Sequence, residues 1–450
     1  MSAILRRMRQ AAAQRFSGSP PSSPATAPSA PTTDGRALLV AALGAAAFMA
    51  FAFMVDPAGD VLAGFVRILL VRDTLITDYI GVGGIGGAFF NAGLTTLLSI
   101  ACYYLCGARL SAATVACLFL MLGFSLFGKN VLNIWCTVAG VYLYARFRGD
   151  PFSVHINTAF FGAALAPMFS EILFSTALSL PVSLPLAVAT SLVSGFVLPP
   201  VAAHLFRTHM GYNLYNMGFV AGIVGTLIVA IYKSYGFVPA PVMIWTSGNT
   251  LVLGSFLVVG FGALIMGGIL LDRRWLVGFK TILASSGQAP TDFIALAGLG
   301  ATLVNMGLSG LVGLGYILLI GADLNGPVIG GIFAIVGFAA MGKHPGNFTP
   351  IIIGVFLGSL AKPWNANDPA IVLAALFGTT LAPIAGRFGW HWGLAAGFLH
   401  SSAALAVGAL HGGLNLYNNG FAAGIVAAVL VPIILAIRER QAPPQSGPAP

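Results

Sequence analysis

Nine residues constrain this chain more than any others. Gly211-Tyr-Asn-Leu-Tyr-Asn-Met-Gly-Phe219 returns as Gly413-Leu-Asn-Leu-Tyr-Asn-Asn-Gly-Phe421, with seven of nine positions identical. The match runs on into Ala221-Gly-Ile-Val224 and Ala423-Gly-Ile-Val426, and His209 and His411 stand two residues before each copy. Each copy opens an apolar stretch. A block carried twice in this way marks an internal duplication, and duplicated halves are how many membrane proteins build a site at mid-bilayer depth.

The apolar stretches set the solvent. Of 450 residues, 58% are hydrophobic and only 7% charged, where a soluble domain carries about 25% charged residues. Mean hydropathy is +0.92. Stretches of about 20 apolar residues, the length that crosses a bilayer, recur from Ala37 to Ile437. The expectation is an all-α polytopic membrane protein, since a transmembrane barrel would alternate polar and apolar residues over short segments. The net charge of +9 is spread singly over short loops and the two ends, the pattern that orients membrane proteins rather than one that binds nucleic acid. Cys102, Cys106, Cys117 and Cys136 all fall in the first half without counterparts in the second, and read as small packing residues.

Fourteen hydrophobic segments are expected, roughly 37–55, 79–105, 110–128, 131–145, 158–179, 184–206, 217–235, 244–271, 292–320, 326–342, 347–361, 369–386, 389–410 and 418–437. Segments 131–145 and 347–361 are short, of a length that fits half-helices or re-entrant hairpins as well as full spans. The stretch 60–78 reads as an interfacial helix. Residues 1–35 form a basic, Pro- and Ser-rich tail expected to be disordered, of a composition shared with transit peptides. Residues 439–450 form a second disordered tail. The organisation expected is an extra N-terminal helix and interfacial segment over 36–74, a first half over 75–240, a linking helix and loop over 241–287, and a second half over 288–438.

Other landmarks repeat in the same order: Asn91 with Asn305, Gly128-Lys129 with Gly342-Lys343 at an offset of 214, Asp150-Pro151 with Asp368-Pro369, and Ala166-Pro167 with Ala382-Pro383. An Arg-rich N-terminus in the cytoplasm and fourteen crossings leave only Arg67, Arg72, Lys129, Lys233 and Lys362 outside, with both termini inside a bacterial inner membrane. Seven crossings then separate equivalent points. An odd number inverts the second half, which relates the halves by a two-fold axis in the membrane plane. Lys129 and His411 would face outside, and Lys343 and His209 inside.

The candidate residues follow from this symmetry. Asn216 and Asn418 sit where a helix N-cap belongs. The alternative to a cap with a glycine packing seam is a helix start aimed into the membrane, with Asn213, Asn415, Tyr215 and Tyr417 offering neutral hydrogen bonds to a solute. His209 and His411 read either as interfacial helix-end histidines or as pathway groups. Lys129 and Lys343, in Gly-Lys turns, either snorkel to head groups or attract an anion. Glu171 is the one acid inside a long apolar stretch, where an acid costs roughly 2.5–3.5 kcal/mol at mid-bilayer. Its alignment opposite Arg387 leaves an interfacial position equally open. No metal-ligand cluster, nucleotide loop or nucleophile–base pair stands out, so neither cofactor nor metal nor enzymatic activity is expected. Gly81-Val-Gly-Gly-Ile-Gly-Gly87 reads as a close-packing stretch.

The duplicated pattern resembles a family of uncharacterised prokaryotic membrane proteins known by a domain of unknown function, over nearly the whole chain beyond the tail. Tyr215-Asn216-Met-Gly218 and Tyr417-Asn418-Asn-Gly420 also resemble, more distantly, the Tyr-Asn-Gly motifs of urea transporters, with one more residue between Asn and Gly here. That likeness implies two inverted halves, a narrow pore for a small neutral polar solute, and a homo-oligomer. The function expected is a channel or facilitator for a small polar solute. An ion-coupled transporter using Glu171 or the histidines, and a membrane scaffold or receptor without transport, are the other readings.

Overall fold

The computed structural model describes residues 35–174, 178–239 and 241–441. The expected N-terminal tail, but for Gly35, lies outside the described residues, as does the C-terminal tail beyond Gln441. Apart from one two-residue strand pair the described chain is helical. The first half runs α1 (Arg36–Val55), α2 (Ala58–Leu69), β1 (Ile76–Thr77), α3 (Tyr79–Leu105), α4 (Ala112–Phe124), α5 (Trp135–Arg148), α6 (Phe152–Gly162), α7 (Ala166–Phe174), α8 (Leu180–Thr208) and α9 (Asn216–Ser234). After β2 (Met243–Ile244) come α10 (Thr250–Leu271), α11 (Trp275–Ala284), α12 (Phe293–Ala297), α13 (Leu299–Leu319), α14 (Gly326–Phe338), α15 (Pro345–Ala361), α16 (Pro369–Gly378), α17 (Ala382–Phe388), α18 (Trp390–Val407) and α19 (Asn418–Gln441). Among the described residues, nine helices are long and apolar enough to cross a membrane. This is a helical membrane protein, as the composition requires.

The repeat is longer than the sequence suggests. Helix α1 packs along α3 as α10 packs along α13. A methyl group on Gly93 of α3 would strike Ala45 and Met49 of α1, and one on Gly307 of α13 would strike Phe261 and Ile265 of α10. Further on, Gly64 of α2 lies on Gly83, and Gly278 of α11 on Ala297. The segments 37–55 and 244–271, expected to be an extra helix and a linker, therefore head the two halves as equivalents of each other. What joins the halves is the stretch up to Asn249. It is tied to the first half by the parallel pairing of β1 with β2 and by Thr74, whose hydroxyl donates to the Val242 carbonyl at 2.7 Å.

Gly84 of α3 has φ +78, and Gly298, with φ +85, separates α12 from α13. Both mark the same bend, and both stand where a side chain would be strained. The glycine-dense stretch is indeed a packing surface: Gly86 donates to the Asp56 carboxylate at 2.7 Å, and Gly87 abuts the backbone of Gly64. The stretch 60–78 is only in part a helix. It ends at Leu69 and passes into β1 through a connector in which Asp73 and Thr74 are buried.

The segments around 110–128, 131–145, 326–342 and 347–361 also differ from expectation. Helices α4 and α14 have 13 residues each, about 20 Å at 1.5 Å per residue, too short for a hydrocarbon core of about 30 Å. Neither α4 and α5 nor α14 and α15 pack along each other as the arms of a re-entrant hairpin would; α5 instead lies along α8, and α15 along α18. Segments 158–179 and 369–386 are likewise interrupted, by 3-10 turns at Ala163–Leu165 and Thr379–Leu381. Irregular backbone at membrane depth survives only when its polar groups are satisfied by protein or by a wet cavity.

The halves meet mainly through two helix pairs, α4 with α14 and α9 with α19. Helices α4 and α14 run antiparallel: Gly123 lies against Gly330 and Phe333, and Gly337 against Ala116 and Phe119. Between the two pairs lies a buried layer that includes Leu120, Phe124, Phe338, Tyr215, Leu373, Phe377 and Tyr417.

Candidate functional site

The layer is built from the C-terminal ends of α4 and α14. Each helix closes with a positive-φ glycine, Gly128 (φ +89) and Gly342 (φ +133). The Lys129 N–H then reaches back to the Phe124 carbonyl at 3.2 Å, and that of Lys343 to Phe338 at 2.9 Å, a Schellman closure. The turn carbonyls are held by buried asparagines on the preceding long helices. Asn91 Nδ2 donates to Ser125 and Lys129 at 2.7 and 3.0 Å; Asn305 Nδ2 donates to Ala339 and Lys343 at 2.7 and 2.8 Å. Each bond spares a buried carbonyl a desolvation cost of about 1–3 kcal/mol.

The closure turns both lysines inward. Lys129 and Lys343 have no exposed surface, so they do not snorkel to head groups as a Gly-Lys turn suggested. Lys129 Nζ donates to the Tyr417 hydroxyl at 2.7 Å and lies 3.5 Å from Met121 Sδ. Lys343 Nζ donates to the Tyr215 hydroxyl, to Thr379 Oγ1 at 2.7 Å and to the Ala334 carbonyl at 3.4 Å. The ammonium groups stand 4.9 and 4.4 Å from the ring centroids of Tyr417 and Tyr215, a cation–π arrangement. Each lysine thus takes the tyrosine of the opposite half, and neither meets a carboxylate among the described residues.

The repeated blocks bring those tyrosines there. Asn213 Oδ1 accepts from the Tyr215 N–H at 3.1 Å, and Asn415 Oδ1 from the Tyr417 N–H at 3.0 Å. Their amides cross the boundary: Asn213 Nδ2 donates to the Gly420 carbonyl at 3.0 Å and Asn415 Nδ2 to Gly218 at 3.3 Å. Leu214 N–H donates to Thr380 and Leu416 N–H to Ala164, at 3.1 and 3.0 Å, so each block fills the 3-10 break of the other half. Each of these contacts has its mirror, as a two-fold relation between the halves would require. Gly218 and Gly420 touch on it: a methyl group on either would lie 2.8 or 2.9 Å from the other's Cα. Backbone cannot yield as a side chain does, so overpacking here costs about 1–3 kcal/mol or more.

Asn216 and Asn418 do not cap their helices. Each is the first helical residue. Its Oδ1 pairs with a histidine, His209 Nε2 or His411 Nε2, at 2.9 Å in both halves. Its Nδ2 donates to Ala202 or Ala404, at 3.2 and 2.9 Å. The two histidines have no exposed surface. They are buried struts between α8 and α9 and between α18 and α19, and His209 directly follows the end of α8. Glu171 is 2% exposed, and its Oε2 lies 2.7 Å from Arg72 Nε. It is an interior acid with a cation beside it.

Sequence reasoning missed a neighbour of Glu171. Asp73, on the connector outside the spanning helices, is fully buried. Its Oδ2 accepts from the Tyr79 hydroxyl at 3.0 Å and from Asn133 Nδ2 at 3.1 Å; its Oδ1 has no hydrogen-bond partner among the described residues. Burial pushes the Asp73 carboxyl up to about 7, against the lowering effect of its hydrogen bonds to Tyr79, Ser170 and Asn133. Gly287 occupies the equivalent place in the second half, where His344 and Asn347 turn to the backbone carbonyls of Ser285 and Ser286. An aspartate in an otherwise apolar connector was the available signal. Two more acids cap across the boundary: Asp78 accepts from the Gly326 N–H at the start of α14, and Asp292 from Ala112 at the start of α4, at 3.1 and 3.0 Å.

A family model described as "Protein of unknown function (DUF1576)" matches the chain twice, over residues 58–234 and 271–436. One copy falls in each half, in line with the duplication read from the blocks. No curated protein and no solved structure matches, so nothing links the chain to the urea transporters.

Proposed function

We propose, from the premise that the chain belongs to the DUF1576 family of unknown function, that it is a membrane channel or facilitator for a small polar solute. In this reading the halves are inverted about an axis in the membrane plane, the termini face the cytoplasm of a bacterial inner membrane, and the pathway runs through the layer where the halves meet. One observation carries it: Lys129 and Lys343 are fully buried, each on the other half's tyrosine. Ionisable groups at membrane depth are expensive and mark solute or ion pathways. Broken helices meeting at a repeat interface, here α4, α14 and the two 3-10 turns, are the usual architecture of such sites.

The test is stopped-flow light scattering on proteoliposomes, with a panel of small neutral and small charged solutes and no ion gradient. Gradient-free uptake of any one solute supports the reading. Correctly folded protein that moves none of them removes it. A second reading, an ion-coupled carrier, draws on the Asp73 oxygen without a partner beside Glu171 and Arg72; uptake strictly dependent on a proton or sodium gradient would favour it.

A further inference from the structure

The lysine–tyrosine layer differs between its two ends, and the difference lies in unspent donors. An ammonium has three N–H groups. Those of Lys343 are matched by Tyr215, Thr379 and the Ala334 carbonyl. Ala163 takes the place of Thr379 in the first half, so Lys129 has one hydroxyl and a weak sulfur acceptor and no third hydrogen-bond partner among the described residues. Both tyrosine hydroxyls accept from a lysine; that of Tyr215 also meets Thr379, whereas that of Tyr417 donates in no hydrogen bond among the described residues. The layer therefore has two donor groups to spare, Lys129 and Tyr417.

The charges point the same way. The N-termini of α9 and α19 come together at Gly218 and Gly420, while the C-termini of α4 and α14 lie under the lysines. Each end carries about half an elementary charge, positive at N-termini and negative at C-termini, so the four ends roughly cancel. What remains is the two lysine amino groups, with no carboxylate paired to either among the described residues.

We propose that this layer binds a small monovalent anion, with Lys129 and the Tyr417 hydroxyl as its donors. This rests on the transport reading above and names the substrate class of that site. The surrounding rings of Phe124 and Phe338 favour a weakly hydrated anion over a strongly hydrated one, because each shed water must be replaced by a donor.

The experiment uses the full chain in proteoliposomes, with nitrate, chloride and formate against sulfate and phosphate, and urea and glycerol as neutral probes. The expected result is flux of monovalent anions, nitrate foremost, that falls at least tenfold in Lys129→Met. Tyr417→Phe keeps the ring over the ammonium and removes only the hydroxyl; it should lose at least threefold of the anion flux while keeping the wild-type melting temperature within a few degrees. Nitrate should also raise the melting temperature of the wild-type protein in detergent relative to sulfate at equal ionic strength. Flux of urea or glycerol without anions would overturn the anion assignment and leave the facilitator reading standing. Flux of nothing, with no nitrate-dependent melting shift, would overturn both. Anion flux unchanged in both variants would overturn the site.

Discussion

At the scale of single residues, the same amino acid does different work according to what surrounds it. Asn213 and Asn216 are three residues apart in one block; the first bridges the halves through Gly420, the second braces His209. Asp73 gives the clearest prediction. Its carboxyl titrates near 3.8 when unfolded and about 7 when folded. Between those values the folded state holds a proton that the unfolded chain has released, so this group makes stability fall as pH rises from about 4 to 7. Asp73→Asn should remove that component, and a plot of melting temperature against pH in detergent should flatten relative to wild type. Parallel curves for the two proteins would show that Asp73 titrates alike in the folded and unfolded states. The residue names were legible in sequence, but not this behaviour, because burial and the Tyr79 and Asn133 contacts come from elsewhere in the chain.

At the scale of elements, the turns that end α4 and α14 depend on asparagines of other helices. Asn91→Leu and Asn305→Leu each leave two turn carbonyls without their donors, at about 1–3 kcal/mol per lost bond. Both should lower the melting temperature, by similar amounts, since the bond lengths agree within 0.2 Å in the two halves. A loss confined to one variant would mean that the turns are not equivalent in energy. Element type was legible throughout, because apolar periodicity and length are local properties. Element boundaries were less so. The breaks at Ala163–Leu165 and Thr379–Leu381 interrupt runs as apolar as any continuous helix, and what stabilises them is the backbone of the opposite block. The equivalence of α1 with α10 was hidden for a related reason. Lipid-facing helices need only be apolar, so their sequences share little beyond small residues where they pack on α3 and α13.

At the scale of the whole molecule, the reciprocal contacts make orientation testable. If the halves are inverted, equivalent loops lie on opposite faces. Arg148, the last residue of α5, and Asn367, in the turn after α15, are both exposed just before the equivalent Asp150-Pro151 and Asp368-Pro369, and should report this. Single cysteines at these positions, with the four native cysteines replaced, should react with a membrane-impermeant maleimide from opposite sides of the membrane. Labelling of both from the same side would rule out inversion and, with it, the two-ended pathway.

The sequence by itself determined the solvent, the helical class and the duplication. Composition and repeated motifs are properties of the linear chain, and a hydrocarbon solvent allows few other answers. Only the tertiary structure decided what the repeated residues do. Lys129 and Tyr417 are 288 positions apart, and each is unremarked in its own neighbourhood. A buried ammonium acquires its meaning from the groups that surround it, and here those groups are supplied by the other half.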